Sequence, residues 1–230
     1  KHLKEVFEKM EDYKTMNLDV NTFFEMTGMI GSICNNPEDY ASFYHNYRGK
    51  RYRHDQVHNL FGYYMTRSAS EAFERYVPEK RILLFSRASY IGMHRFGGIW
   101  QGDNASWWSH LKMNEKMRPS LNMCGFLYTG ADVGGFGADA TEDLVLRWLE
   151  FAVFTPLLRN HSARGTRRQE VYRFSHIEKF ADVIGVRYQI LPYVYSEYMK
   201  AALRNTMMFN PLSFLYGEDA LAGQVEDQLF

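Results

Sequence analysis

The residues best placed to do chemistry lie in Trp100-Gln101-Gly102-Asp103-Asn104, with Arg87 upstream and Asp132, Phe136 and His161 downstream. Each follows a short apolar run. Cleaving a glycosidic bond needs two carboxyl groups, one to protonate the leaving oxygen and one to meet the oxocarbenium-like carbon. Asp103 is the candidate for the first. Partial desolvation by Trp100 and Trp107 would raise its pKa toward the protonated form that an acid catalyst requires. The competing reading of an Asp in a Gly-Asp-Asn turn is a local capping residue.

Two rival signals carry less. His54-Asp55-Gln56-Val57-His58 places two histidines at i and i+4 of one helix face, close to a zinc-protease spacing. Asp replaces the required Glu and no third ligand is evident, so no metal is expected. Gly134-Gly135-Phe136-Gly137 has no following Lys-Ser/Thr and reads as a loop cluster rather than a phosphate cradle.

The elements that must position these residues follow a rhythm. The runs Arg81–Ser86, Gly98–Trp100, Cys124–Tyr128 and Phe154–Leu158 read as buried parallel strands. Each ends in polar residues. Helices are expected at 54–76, 105–119 and 141–151, and a long one at 176–204, interrupted by Pro192. Val57, Leu60, Phe61, Tyr64 and Met65 are expected to pack from the first of these, and Ile184, Val186, Tyr188, Leu191, Tyr195 and Tyr198 from the last. Alternation of this kind predicts an α/β fold, the C-terminal half of a (β/α)8 barrel, whose active site gathers at the strand C-termini. Residues 1–18 read as an amphipathic helix and 19–53 as an irregular excursion loop, ahead of the barrel part from residue 54 onward.

Composition narrows the function classes. The 27 Lys+Arg balance 27 Asp+Glu with no basic stripe, so nucleic acid is not an expected partner. No apolar run approaches the ~20 residues of a membrane helix. Cys34 and Cys124 are too far apart in sequence for a disulfide framework or a closed metal site and read as free thiols in a reducing compartment. A cytoplasmic location suits a bacterial source, although the absence of Met and of a signal-like segment at Lys1-His2-Leu3-Lys4 leads us to expect a piece of a longer polypeptide, whose address is unread. Aromatic residues make up 16% of the chain, which suits sugar-binding walls as well as core.

Four blocks in order resemble glycoside hydrolase family 31: Leu84-Phe85-Ser86-Arg87, Trp100–Asn104, Gly130-Ala131-Asp132-Val133-Gly134-Gly135-Phe136, and Arg159-Asn160-His161-Ser162 running into Gly165–Glu170. Val57–Gly62 and Leu191–Tyr195 also look like family segments. The resemblance implies a retaining α-glucosidase acting on α-linked glucosides or oligosaccharides without a metal or organic cofactor. It implies Asp103 as general acid/base at the end of the sixth barrel strand, Arg87 and His161 as hydrogen-bonding partners of the sugar, Trp100 and Phe136 as pocket walls, and Asp132 as a support. The family's nucleophile motif, of the type Trp-x-Asp-Met-Asn-Glu-Pro after the fourth strand, has no counterpart; the closest string is Phe24-Glu25-Met26-Thr27. The resemblance therefore implies a nucleophile before residue 1, residues 1–53 as an insertion after the fourth barrel strand and 54–230 as about strands five to eight with their helices, and the isolated chain is expected to be inactive without the rest of the barrel. Val171 stands where the family usually has proline. Alternatives within the resemblance are α-xylosidase, α-glucan lyase and transglucosidase; outside it, a non-catalytic carbohydrate-binding fragment.

Overall fold

The computed structural model describes residues 37–226, together with Glu5, Glu8, Asn21, Phe24, Glu25, Gly28 and Met29. The chain forms two compact units, 1–61 and 62–230. The helix expected over 1–18 lies outside the described residues except at Glu5 and Glu8.

The described part of the first unit is not an irregular excursion. Helix α1 (Pro37–Ser42) leads into an antiparallel hairpin of β1 (Tyr44–Tyr47) and β2 (Lys50–Arg53), then α2 (His54–Val57). The two-residue turn has positive φ at Arg48 (49°) and Gly49 (75°), the backbone of a primed hairpin turn that matches strand twist. Arginine is an uncommon first residue there, so the sequence carried a weak hairpin signal. Arg51 stacks on Tyr44 at 3.8 Å, a same-face contact that helps an otherwise exposed ribbon. The hairpin also supplies the third ring that the histidine pair lacked. His45 Nε2 lies 2.8 Å from His54 Nδ1, and His54 Nε2 lies 2.9 Å from His58 Nδ1. Burial and the two neighbouring rings hold the His54 imidazole below its ordinary pKa.

The second unit begins within α3 (Leu60–Tyr76), and its buried residues are small. Gly62 and Thr66 face inward, whereas Phe61, Tyr64 and Met65, expected to pack, are exposed. A Cβ at Gly62 would lie 2.6 Å from the Ala88 carbonyl oxygen, so the close approach of backbone selects the small face.

Five short strands follow: β3 (Phe85–Ser86), β4 (Gly98–Trp100), β5 (Thr129–Gly130), β6 (Asp132–Val133) and β7 (Arg159–Asn160). Pairing is parallel throughout, in the order β3-β4-β5 and β6-β7, with β5 and β6 separated by Ala131 alone. Four extended segments thus lie side by side in sequence order, as the barrel rhythm predicted. Their placement differs from the apolar runs. Strand pairing over 81–86 is confined to Phe85 and Ser86, and Ile82 and Leu83 are exposed because β3 is an edge with one partner among the described residues. The expected strand 124–128 is displaced to 129–133, because α4 (Trp108–Met123) runs longer than predicted and turns at Gly125 (φ 88°). The run 154–158 likewise gives way to strand at Arg159.

Helix α5 (Glu142–Ala152) starts where Thr141 Oγ1 accepts the Leu144 N–H, and Glu142 and Asp143 suit the positive helix end. Its stripe Leu144, Val145, Trp148, Leu149 and Ala152 buries against Ala131 and Val133 of the sheet and Phe180 of α6 (Ile177–Arg204), forming the main core. Helix α6 is not interrupted: it runs through Pro192. The carbonyl that loses its partner belongs to Tyr188, on the exposed side of the helix. Val186, Leu191 and Tyr195 are exposed as well, and the buried positions are Phe180, Val194 and Ala201. A short α7 (Leu212–Leu215) and a 3-10 turn at Ala222–Gln224 end the described architecture. Among the described residues no helix is long and apolar enough to cross a membrane, and Cys124 is a free, exposed thiol.

Candidate active site

Strand alternation sorts the side chains. Ala131 and Val133 face the helices and join the core, so Asp132 between them faces the other side of the sheet. Register then sets its partner, since Asp132 is directly opposite Arg159. Arg159 donates from Nε (3.0 Å) and Nη2 (2.5 Å) to Asp132 Oδ1, which also accepts Trp100 Nε1 at 3.1 Å. Asp132 Oδ2 has no hydrogen-bond partner among the described residues. Burial pushes the Asp132 carboxyl above its ordinary range, opposed by the Arg159 hydrogen bonds and charge, by His161 and by the Trp100 N–H.

Trp100 is the hub of this cluster. The Arg159 guanidinium lies 4.9 Å and that of Arg87 5.7 Å from its ring centroid. Arg87 Nη1 is 3.3 Å from Asp103 Oδ2, joining the end of β3 to the turn after β4. The desolvated Asp103 expected from its tryptophan neighbours is not found. Its side chain is 44% exposed, Trp107 is exposed too, and Arg87 is the charged group beside it. The Gly-Asp-Asn turn leaves β4 pointing the carboxylate outward while its neighbours Gly102 and Asn104 are buried.

Phe136 and His161 form a second group, their rings tilted by 33° with centroids 5.3 Å apart. A backbone net ties them to the Asp103 turn. The Asn104 carbonyl accepts the N–H groups of Phe136 (2.6 Å) and Gly137 (3.0 Å), and the Phe136 carbonyl accepts that of Ala163 (3.0 Å). Gly135 makes this approach possible, with φ 84° and a Cβ position only 2.6 Å from the Ser106 backbone. Underneath, the buried Gln169 amide donates to the carbonyls of Val133 and Gly135 (3.0 Å each) and of His161 (3.2 Å).

All six residues singled out in the sequence therefore belong to one linked region at the C-terminal ends of the strands. Arg87, Trp100, Asp103 and Asp132 form one contact chain, while Phe136 and His161 connect to it through Asn104. Sequence reasoning quoted three residues of the frame within its blocks but gave them no role: Arg159, whose role depends on register; Asn104, which acts through its carbonyl; and Gln169, a polar residue in a charged stretch with no visible sign of burial. Among the described residues no group of three or more His, Cys, Asp or Glu side chains is arranged to hold a metal ion.

Comparison with known proteins places this arrangement. The family model for the glycosyl hydrolases family 31 TIM-barrel domain matches residues 3–197. Alpha-glucosidase 2 of Bacillus thermoamyloliquefaciens is 35% identical over 179 residues, 76% of this chain and 22% of that protein. Neutral alpha-glucosidase AB of Dictyostelium discoideum is 33% identical over 180 residues, covering 76% and 19%. Among solved structures, a glucosidase II alpha subunit matches with a TM-score of 0.73 at 31% identity, covering 78% of this chain and 20% of that one. A Flavobacterium johnsoniae dextranase complexed with glucose matches with a TM-score of 0.76 at 25% identity, covering 85% and 25%. The chain thus spans about a fifth of the length of the curated relatives it matches. Its parallel strands and intervening helices are part of a TIM barrel, and the chain belongs to glycosyl hydrolase family 31.

Proposed function

We propose that this chain supplies the acid/base half of a retaining α-glucosidase, with Asp103 as the general acid and base. The observation that carries this reading is the Arg87–Asp103 pair at the strand C-termini, open to solvent beside Trp100. In a double displacement the carboxylic acid protonates the leaving oxygen while a nucleophile attacks the anomeric carbon. It then takes a proton from the water that releases the sugar. An exposed carboxyl at the strand ends suits a group that must meet both leaving group and water. The nucleophile is an Asp outside this chain, and retention requires the two carboxyls about 5–5.5 Å apart.

Arg87 and His161 hydrogen-bond the hydroxyls of the sugar being cleaved, and Trp100 and Phe136 wall its apolar faces. Asp132, clamped by Arg159 and holding the Trp100 indole N–H, positions that wall. Residues 1–53 are an insertion after the fourth strand, and 54–230 supply about strands five to eight. Support for an α-glucoside substrate comes from relatives named alpha-glucosidases and from the dextranase structure with glucose.

The test is Asp103→Asn in the full-length protein. Turnover of an unactivated α-glucoside should fall by ~10²–10⁴-fold. An aryl α-glucoside with an activated leaving group should still release its first product in a burst. Azide should then restore turnover and give α-glucosyl azide, because it enters from the face vacated by the acid/base. Appearance of the β-azide would make Asp103 the nucleophile, and unchanged activity would remove it from the mechanism. Faster turnover of α-xylosides, an unsaturated product or net transfer to sugar acceptors would point to the other chemistries of this fold.

A further inference from the structure

The chain of three histidine rings in the first unit is used by no step of the proposed mechanism. It runs from β1 through the first residue of α2 to the residue that caps its end. His45 Nε2 lies 2.8 Å from His54 Nδ1, and His54 Nε2 lies 2.9 Å from His58 Nδ1, so both nitrogens of the central ring are engaged. Rings from α1 and its end pack on this chain. Tyr40 stacks on His58 with centroids 4.6 Å apart and meets His54 edge-on at 5.0 Å, and Phe43 meets His54 edge-on at 6.4 Å. The His54 backbone N–H donates to the Phe43 carbonyl at 2.8 Å. The hairpin, α1 and α2 are thus tied together at one ring.

A contact of this length between two ring nitrogens holds one hydrogen, carried by either nitrogen. The two contacts hold two hydrogens and the outer nitrogens, His45 Nδ1 and His58 Nε2, hold one each, four in all. Three neutral imidazoles already carry three. One added proton leaves both contacts intact, whereas a second sets N–H against N–H and breaks one. Separated rings each take up a proton near pH ~6.5, so opening the chain admits two more. Neighbouring charges offset this little. Asp55 on α2 favours a proton on His54, but Arg53 of β2 engages its carboxylate through Nε at 2.9 Å and Nη2 at 2.7 Å. Glu38 and Asp39 stand in the first turn of α1, which meets the histidines through the Tyr40 ring.

We propose that His45, His54 and His58 form a pH-sensitive latch, which holds the hairpin to α2 at neutral pH and opens when the chain takes up a second proton. The closed chain binds fewer protons than the open one. Its hold is therefore full above the ordinary imidazole range and is lost as pH falls through it. Burial and the two neighbouring rings, which already lower the His54 pKa, act in the same direction.

The experiment follows hydrogen–deuterium exchange of the full-length protein in EDTA-containing buffer between pH 7 and pH 5, each rate corrected for the intrinsic pH dependence of amide exchange. Protection of the Tyr44–Arg53 hairpin should fall by on the order of 10²–10³-fold, as two extra protons require. Glu142–Ala152 of α5 should keep its protection over the same range. His58→Phe keeps a ring against Tyr40 but leaves one nitrogen–nitrogen contact, and should reduce the fall to on the order of tenfold, as one extra proton requires. His54→Phe should abolish it. A hairpin unprotected at pH 7, protection that does not change with pH, or a fall of full size in His54→Phe would overturn the proposal. Protection at pH 7 that appears only without EDTA would assign the three histidines to a metal ion instead.

Discussion

Asp132 and Arg159 stand directly opposite each other on adjacent parallel strands, and Arg159 places Nε and Nη2 on a single oxygen of a fully buried carboxylate. The second oxygen has no protein partner among the described residues. Removing the arginine therefore leaves a buried charge with only the Trp100 N–H and His161 to offset its desolvation. Arg159→Leu should cost about 3 kcal/mol, at the lower end for a broken buried pair because the Arg159 side chain is itself 30% exposed. Asp132→Asn, which removes the charge instead, should cost less. The arginine deficit should also shrink as pH falls toward the ordinary carboxylate range, since burial already raises this group and protonation then relieves the unpaired charge. Denaturant titrations of both variants at two pH values check this; a larger loss in Asp132→Asn would mean that packing, not charge, sets the cost.

Two glycines should respond in opposite directions to alanine. At Gly135 the backbone has φ 84° and the new Cβ would meet the Ser106 backbone at 2.6 Å, where no flexible side chain can yield. Gly135→Ala should destabilise by more than about 2 kcal/mol and loosen the Phe136 loop. Gly185 is inside α6 with open space around its Cβ position, so Gly185→Ala should stabilise by about 0.5–1 kcal/mol. Unfolding midpoints of the two variants, measured side by side, give the signs.

The barrel rhythm, and the gathering of the candidate site residues at the strand ends, were legible because both depend on local pattern: apolar runs, the turns that end them, and the residue blocks around Asp103, Asp132 and His161. Strand position was less so. The apolar run 124–128 packs as the turn after α4, and pairing begins at Thr129, a choice made by helix length rather than by strand propensity. The large residues of α3 misled in the same way, since its packed face is Gly62 and Thr66 against backbone, a contact that hydrophobic periodicity does not encode. Arg159, Asn104 and Gln169 were hidden for a third reason. Their partners lie across register or on main-chain carbonyls, which only the folded chain brings within reach.

The junction between α5 and the segment before α6 carries a pH-dependent clasp. Glu142 accepts the His176 backbone N–H at 2.8 Å, pairs with the His176 imidazole at 2.9 Å and approaches the Ser175 N–H at 3.4 Å. Those bonds, the His176 backbone N–H first, hold its carboxyl below the ordinary value of 4.5. A depressed folded pKa contributes stability above the unfolded value and loses it as pH falls through the folded one. Glu142→Gln should therefore be less stable than wild type at neutral pH, and the gap should close on acidification below about 4.5. Thermal unfolding from pH 7 down to pH 3 tests this; a gap independent of pH would assign the loss to shape alone.

Gln169 offers the sharpest test of how the site is held. Its amide nitrogen, 1% exposed as a residue, serves three carbonyls, those of Val133, Gly135 and His161, and thereby fixes the loops that carry Phe136 and His161. Gln169→Leu removes the donor and should cost about 2–4 kcal/mol, because carbonyls in a closed site lose their partner without gaining water. Gln169→Glu is the more telling change, for at neutral pH a carboxylate would face three carbonyl oxygens. Its loss should exceed that of leucine. Burial and the facing oxygens would raise the folded pKa of the new carboxyl above its unfolded value, so its neutral form, with an O–H to donate, is favoured in the fold. The deficit should accordingly be smallest below the ordinary glutamate range and grow as pH rises through the folded pKa. In the full-length protein both variants should lower kcat/KM through KM first, since the residues they release are those proposed to grip the sugar. A Gln169→Glu protein as stable as wild type at pH 7 would show that the three carbonyls are served by other groups, and that the loops of Phe136 and His161 are held from elsewhere.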